Sequence, residues 1–362
     1  MDDLIYWVWL TSVPKLSVKD QLRLIEFFGD PKAVFTAENV QEAGISKNTA
    51  ELFKKRDLSE AQRIVDRIRQ IGGYILTLND PEYPNYLKDI AVPPPILYCR
   101  GQHQEWEKLY RLTVVGTRTL SPYGRRATED IVKDIARLGI VIVSGMARGI
   151  DSVAARAALG VGGKTIAVLG SGLDVIYPPE HRGLYEKICE KGVVMTEFPP
   201  GTAPHKENFP RRNRIMAGLS LGLLVGQAPE RSGTLITAAH AIAEGRNVYV
   251  IPSDIYDGGF AGSNRLINQG AKLIMNADDI VEDYPYSELK EKAGELPDRT
   301  VELDALMPEE AKLVKLLMNE DLHIDEMIRR TGLTSSEANV ALMMLEINGV
   351  IKKREHNVYS IV

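Results

Sequence analysis

The sequence contains little cysteine, little histidine and no long apolar run. Its two cysteines, Cys99 and Cys189, are isolated, so we expect neither a disulfide framework nor a zinc site, as is usual in the reducing cytoplasm. Its six histidines show no spacing typical of metal ligands. No stretch of about 18 apolar residues occurs, so we expect no membrane span. The first apolar stretch follows two acids and not a basic region, which argues against a secretory signal.

The chain has 362 residues, of which 44% are hydrophobic and 26% are charged, as in ordinary globular proteins with two or three domains. The net charge of −5 is unevenly distributed. Residues 282–362 contain 17 acidic and 10 basic residues, a balance of −7, so the first 281 residues carry +2. Local clusters of charged residues, and not the net charge, therefore decide which ligands the first 281 residues bind.

Changes in hydrophobic periodicity predict four segments. Residues 1–70 indicate an all-helical domain of the sterile-alpha-motif or helix-hairpin-helix type, with helical spacing at 18–28 and 50–71. Residues 71–290 predict a Rossmann-like domain that begins with a stiff, proline-rich entry segment. Residues 291–306 are interpreted as a linker, and residues 307–362 as a winged-helix domain.

Six short apolar runs separated by helical patterns predict the central α/β domain. Continuous runs of Val, Ile and Leu are typical of parallel strands that are covered on both faces, as in an extended Rossmann-like sheet. The runs are 112–115, 140–144, 165–170, 193–197, 221–226 and 247–252. Ligands of such folds bind beyond the carboxyl ends of the strands.

Candidate binding residues follow several of these runs. Small residues at a helix N-terminus expose N–H groups to anions, and arginine binds phosphate. The segment 205–214, HKENFPRRNR, adds a basic cluster around one aromatic ring, which is typical of single-stranded nucleic-acid binding. The predicted DNA-binding residues are Gly116, Arg118, Ser144, Gly145, Lys206, Phe209, Arg211, Arg212, Asn213, Arg214, Ser232 and Gly233.

Two other patterns do not predict cofactor sites. The segment 162–165, GGKT, lacks the first glycine of a Walker loop and precedes a strand, and the 144–149 turn lacks the complete dinucleotide fingerprint. We therefore expect no cofactor. Asp151 is interpreted as a helix N-terminal cap, and Glu197 as a partner of the following loop.

The ordered motifs resemble the DNA-processing protein A (DprA, or Smf) family. They are GTR at 116–118, SGMARGID at 144–151, GLDVIYP at 172–178, FPRRNRIMAGLS at 209–220, RSGTLIT at 231–237 and GSNRLINQGA at 262–271. The resemblance implies a homodimeric protein that binds and protects single-stranded DNA and helps to load RecA recombinase during natural transformation. Single-strand-binding protein is a further expected partner. The resemblance also implies that Arg118 binds a phosphate, that Lys206, Arg212 and Arg214 line a positive pocket, and that Phe209 stacks on a base.

The chain departs from the family pattern at three places. Ala154-Ala155 replaces a common Ala-His pair, Gln227 stands where Glu is usual, and Ser253 stands where Gly is usual. The alternative hypothesis is a nucleotide-processing enzyme similar to phosphoribohydrolases, whose loop reads PGGxGTxxE. Thr237 occupies the position of that glutamate, so we predict a binding protein and not an enzyme.

The C-terminal segment and the last sheet edge complete the predictions. The helix at 335–348 has no Lys or Arg, which argues against reading of a DNA groove and favours contact with a protein partner. Apolar residues near the last strand, Leu266, Ile267 and Leu273, are the candidate dimer interface.

Overall fold

The computed structural model describes residues 3–284, 306–317, 320–347, 350–354 and 357–361. The chain divides into two compact units, residues 1–294 and residues 295–362. Most of the predicted linker, 291–306, lies outside the described residues. Within the described ranges, every helix is too short or too polar to cross a bilayer.

The first unit begins with five helices. They are α1 (Leu4–Ser12), α2 (Val18–Phe28), α3 (Pro31–Thr36), α4 (Lys47–Ala50) and α5 (Ser59–Gln70). The Ser17 hydroxyl caps α2 by accepting from the Asp20 N–H, and the Asp30 carboxylate caps α3 by accepting from the Ala33 N–H. The predicted helix at 18–28 is confirmed. The helical pattern at 50–71 is interrupted, because the Asp57 side chain accepts from the Ser59 N–H and α5 begins only there.

A nine-stranded sheet follows these helices. Its order is β1-β2-β6-β5-β4-β3-β7-β8-β9, with β3 to β9 parallel. At one edge β2 pairs antiparallel with β6, and β1 pairs antiparallel with β2. The strands are β1 (Gly73–Thr77), β2 (Ile96–Gly101), β3 (Arg111–Val115), β4 (Val141–Ser144), β5 (Thr165–Val168), β6 (Val193–Thr196), β7 (Gly222–Val225), β8 (Asn247–Val250) and β9 (Lys272–Leu273). All six apolar runs are confirmed as strands.

Helices cover both faces of the sheet. They are α6 (Asn85–Lys88), α7 (Pro122–Arg137), α8 (Ile150–Gly160), α9 (Arg182–Lys191), α10 (Asn208–Leu219), α11 (Gly233–Ala243), α12 (Ala261–Asn268) and α13 (Asp278–Val281). Alternate residues of β4 show the two faces, since Ile142 packs with α7 and α8 whereas Val141 and Val143 pack with α10 and α11.

The N-terminal helices share a core with the sheet. Leu10 and Ile68 belong to the same buried cluster as Tyr98 on β2 and Val194 on β6. Residues 3–70 are thus packed on the antiparallel end of the sheet. The boundary at residue 70 between independently folding domains stays a prediction.

The second unit has the elements of a winged helix. They are α14 (Pro308–Leu317), β10 (Leu322–His323), α15 (Ile324–Thr331), α16 (Ser335–Ile347), β11 (Ile351–Lys353) and β12 (Val358–Ile361). The three strands pair in the order β10-β12-β11. Gly332, with a φ of 68°, ends α15, and the Thr334 and Glu337 side chains bond to each other's N–H groups at the start of α16.

Candidate nucleic-acid interface

The loops at the carboxyl ends of the parallel strands are joined to one another by backbone hydrogen bonds. The Thr117 N–H, after β3, donates to the Gln227 carbonyl after β7, and the Thr117 carbonyl accepts from the Ile150 N–H after β4. Beyond β5 and β6, the Gly172 N–H donates to the Thr202 carbonyl. The candidate turns therefore share one edge of the sheet, as predicted.

Phe209 lies at the centre of this edge, near the start of α10. Its half-buried ring contacts Gly170, where an added Cβ would lie 3.1 Å from the ring, and its centroid is 6.0 Å from that of Tyr177. The Arg118 and Arg212 Cζ atoms lie 5.4 and 5.8 Å from the ring centroid. A small cavity adjoins the ring and is lined by Gly145, Ala147, Leu169, Gly170, Ser171, Tyr177, Pro204 and Phe209. This arrangement offers an aromatic surface beside positive charge.

Arg212 is buried and binds the protein's own backbone. Its Nη1 donates to the carbonyls of Gly145, at 2.8 Å, and Val168, at 2.6 Å, while its Nε donates to the Asn213 side chain. Only 4% of the residue is exposed. Direct phosphate contact by Arg212 and Asn213 stays a prediction, and their burial favours a role in positioning Phe209.

Asp151 organises the turn that follows β4. Its Oδ2 accepts from the N–H groups of Gly145 and Ala147, so these N–H groups are already bonded to a carboxylate of the chain. Burial raises the pKa of Asp151, and the nearby Arg212 guanidinium opposes this shift. Asp151 thus holds the preceding loop. Its interpretation as the helix N-terminal cap was wrong, because the N-cap of α8 is Gly149, without a side-chain cap bond, and Asp151 lies inside the helix.

The glycines and Ser144 in these turns allow close packing. An added Cβ at Gly145 would lie 1.9 Å from Arg212 Nη1, and one at Gly116 would lie 2.3 Å from Ile150 Cγ1. Gly149 has a φ of 81°, and a Cβ added to it would lie 2.1 Å from the Thr117 carbonyl oxygen. The buried Ser144 hydroxyl donates to the Val114 carbonyl. Their direct role toward DNA stays a prediction.

Arg211 and Arg214 surround Glu197 at the end of β6. Arg214 is largely buried, bonds to Glu197 Oε2 and donates to the Val92 carbonyl, while Arg211 Nε lies 3.6 Å from Glu197 Oε1. Burial raises the pKa of Glu197, and both arginines oppose this shift. The Arg211 side chain remains 52% exposed. Glu197 therefore anchors the first two turns of α10, and its partners lie in this helix and not, as its interpretation had expected, in the following loop.

Exposed cations extend along the same edge. Arg118 follows β3, Lys206 precedes α10 and Arg231 follows β7, where Ser232 caps α11 by accepting from the Thr234 N–H and Gly233 is exposed. Arg125 and Arg126, both exposed in the first turns of α7, were not predicted. A basic pair immediately after a strand-ending turn was the signal that could have identified them.

The buried Gln227 side chain holds the loop that follows β3. Its side-chain Oε1 accepts from the Ser121 N–H, and its backbone carbonyl accepts from Thr117, so it fixes the loop that carries Arg118. Only 2% of the residue is exposed. A neutral amide performs this task without adding negative charge near Arg118.

The predicted interface residues lie at the far end of the sheet. Leu266 is buried in α12 and Ile267 is partly buried, whereas Leu273 is exposed on the edge strand β9. Dimerisation stays a prediction. Among the described residues, no group of three or more His, Cys, Asp or Glu side chains is close enough together to hold a metal ion.

We predict that Arg212→Ala lowers the free energy of unfolding by about 3–5 kcal/mol, because two buried carbonyls lose their donor and Asp151 loses a compensating charge. Urea unfolding followed by circular dichroism measures this loss. Arg211→Ala is the matched control and should cost about 1 kcal/mol or less, because that guanidinium is half exposed. Equal losses in the two variants would contradict the positioning role.

Comparison with known proteins identifies the family. A family model described as DNA recombination-mediator protein A matches residues 74–285, and the DprA winged helix domain model matches residues 297–355. The DNA processing protein DprA of Bacillus subtilis is 36% identical over 250 residues, 69% of this chain and 82% of the relative. Protein Smf of Escherichia coli is 32% identical over 357 residues, 97% and 94% of the two chains.

Solved structures agree with this assignment. The crystal structure of DprA from Streptococcus pneumoniae covers 78% of this chain and 99% of its own, with a TM-score of 0.69 and 33% identity. DNA processing protein A of Helicobacter pylori, described for its single-stranded DNA binding mode, covers 60% of this chain and 96% of its own, with a TM-score of 0.54 and 28% identity. The family models together span most of the chain in the order of its two units, and the chain therefore belongs to the DprA/Smf family.

Proposed function

We propose that the carboxyl edge of the sheet binds single-stranded DNA without strong sequence preference. The observation that carries this proposal is the Phe209 ring, which adjoins a cavity and has the exposed Arg118 guanidinium 5.4 Å from its centroid. An unpaired base can stack on an aromatic ring whatever its identity, while cations bind the adjacent phosphates. The single-stranded DNA binding described for the Helicobacter pylori relative supports the same ligand.

The proposed contacts divide into two groups. The exposed Arg118, Lys206, Arg211 and Arg231 bind phosphates, and Phe209 stacks on a base. The buried Arg212 and Asn213 and the partly buried Arg214, together with Ser144, Gly145 and Gly116, hold the surface in shape. Ser232 and Gly233 present the N-terminus of α11 on the same edge.

Binding should weaken steeply with salt. Neutralisation of about three or four phosphates on a single strand gives a log–log slope of roughly −2 to −3, and the double variant Arg118→Ala/Lys206→Ala should reduce the steepness by about 1.4. Fluorescence anisotropy of labelled oligo-dT at several salt concentrations measures both slopes.

Arg137→Ala/Lys164→Ala is the matched control for this experiment. It removes the same charge at the opposite, amino edge of the sheet, where Arg137 ends α7 and Lys164 precedes β5. Its slope should equal that of the unmodified protein. Equal slopes for all three proteins would place DNA binding elsewhere.

Phe209→Ala should weaken oligo-dT binding by about 1–3 kcal/mol, because one base loses its stacking surface. The salt slope should not change, since no charge is removed. The same titrations measure both quantities, and circular dichroism confirms that the variant is folded. Unchanged affinity would remove Phe209 from the site.

We further propose that the protein acts in the cytoplasm as a homodimer. It would protect single-stranded DNA, also when single-strand-binding protein is present, and load a RecA recombinase during natural transformation. Family membership supports these roles. The exposed Leu273 on the sheet-edge strand β9 supports a dimer contact there, which sedimentation of Leu273→Lys tests.

Recombinase loading should depend on the same edge. We expect Arg118→Ala/Lys206→Ala to lose most of its stimulation of RecA filament assembly on DNA coated with single-strand-binding protein. The opposite-edge control should keep it. Full stimulation by a variant that no longer binds oligo-dT would instead make the chain a recombinase adaptor whose DNA contact is incidental.

Binding alone accounts for these proposed roles, so the proposal includes no catalytic step. The alternative, phosphoribohydrolase-like enzyme makes a different prediction. Release of free base from nucleoside monophosphates, lost on substitution of edge residues, would favour that alternative over DNA binding.

A further inference from the structure

Helix α16 of the winged-helix unit has apolar residues on two faces. One face, with Ala338, Ala341, Leu342 and Leu345, is buried in the core of the unit. A second group, Val340, Met343 and Met344, is 62%, 63% and 45% exposed. A helix that is apolar on both faces usually packs against a partner on each, so the exposed group indicates an interaction surface.

Two residues of the exposed group, Val340 and Met344, line a groove within this unit. Its cavity of about 460 Å³ is lined mainly by Met307, Glu309, Glu337, Val340, Ala341 and Met344. Met307 is itself 65% exposed. The volume is large enough for apolar anchor side chains of a partner, and methionine adapts its shape to different anchors.

Fixed carboxylates border the groove. Glu337 accepts from the Thr334 N–H and hydroxyl, and Glu310 accepts from the Met307 N–H, so both side chains are held in place. Glu309 is exposed in the first turn of α14. Lys312 is close enough to contribute to lowering the pKa of Glu337, but the residues that line the groove include no Lys or Arg. The groove therefore repels phosphates and attracts cations.

We propose that this groove docks an amphipathic helix of a partner protein that has apolar anchors at helical spacing and Lys or Arg on its flanks. The anchors would fill the space between Met307, Val340 and Met344, and the flanking cations would meet Glu309 and Glu337. This is the helix-in-groove mode of recognition, with charge complementarity that selects the partner. A second copy of the unit is a poorer occupant, because it would bring acidic borders together.

A designed peptide tests the proposal on the full chain. The probe is a fluorescein-labelled Leu/Lys peptide of about 18 residues, five helical turns, with Leu at helical spacing. A Leu/Glu peptide of the same pattern is the charge control. Anisotropy should show salt-sensitive binding of the Lys peptide and much weaker binding of the Glu peptide.

Three variants locate the binding. Val340→Ser/Met344→Ser should weaken binding of the Lys peptide at least about tenfold, because two exposed anchoring contacts are removed. Glu309→Lys should weaken it through charge alone. Met275→Ser, at a residue of the first unit that is 77% exposed, is the matched control and should leave it unchanged.

Absence of peptide binding, or equal binding by the double variant and the control, would overturn the proposal. Concentration-dependent self-association that the double variant abolishes would assign the groove to a second copy instead. None of these readouts involves DNA, so the result is independent of the DNA-binding proposal.

Discussion

The candidate site depends on one buried cation, the Arg212 guanidinium. It joins three elements, because it extends from α10 and donates to carbonyls at the ends of β4 and β5. Phe209 precedes it by three residues on the same helix, so the two side chains share a helical face and the ring position follows from the anchoring of Arg212. Asp151 completes the arrangement. Arg212 donates to the Gly145 carbonyl, and Asp151 accepts from the Gly145 N–H, so the two side chains hold the loop after β4 together.

The basic segment 205–214 therefore contains two kinds of cation. Arg212 and Arg214 bond to carbonyls and to Glu197 inside the protein, while Lys206 and Arg211 remain exposed. Burial of an arginine is costly unless the guanidinium is paired and hydrogen-bonded, and here carbonyl and side-chain oxygens of the chain accept from both Arg212 and Arg214. A positive surface is obtained because other loops supply Arg118 and Arg231 beside this framework.

The sequence was sufficient to predict the six parallel strands β3 to β8, because each is a continuous apolar run, and the winged helix, because its turn contains Gly332 and a capping box. It was insufficient for β1 and β2, because they border the proline-rich segment, whose prolines predict an extended connector and not a sheet. It also could not show which of the adjacent residues Arg211 and Arg212 is buried. Adjacent residues point in different directions on a helix, and only the position of the sheet shows which one is buried.

The acidic net charge and the basic edge are compatible because they belong to different units. Residues 1–281 carry a positive balance, and the exposed cations of the edge concentrate it where single-stranded DNA would lie. The acidic C-terminal segment has the opposite property, and its helix α16 presents methionines and carboxylates where a DNA-reading winged helix would present cations. Since exposed cations attract phosphates and exposed carboxylates attract basic side chains, each surface can select its own ligand. The fold thus permits DNA and a basic protein partner to be bound by one chain through opposite electrostatics.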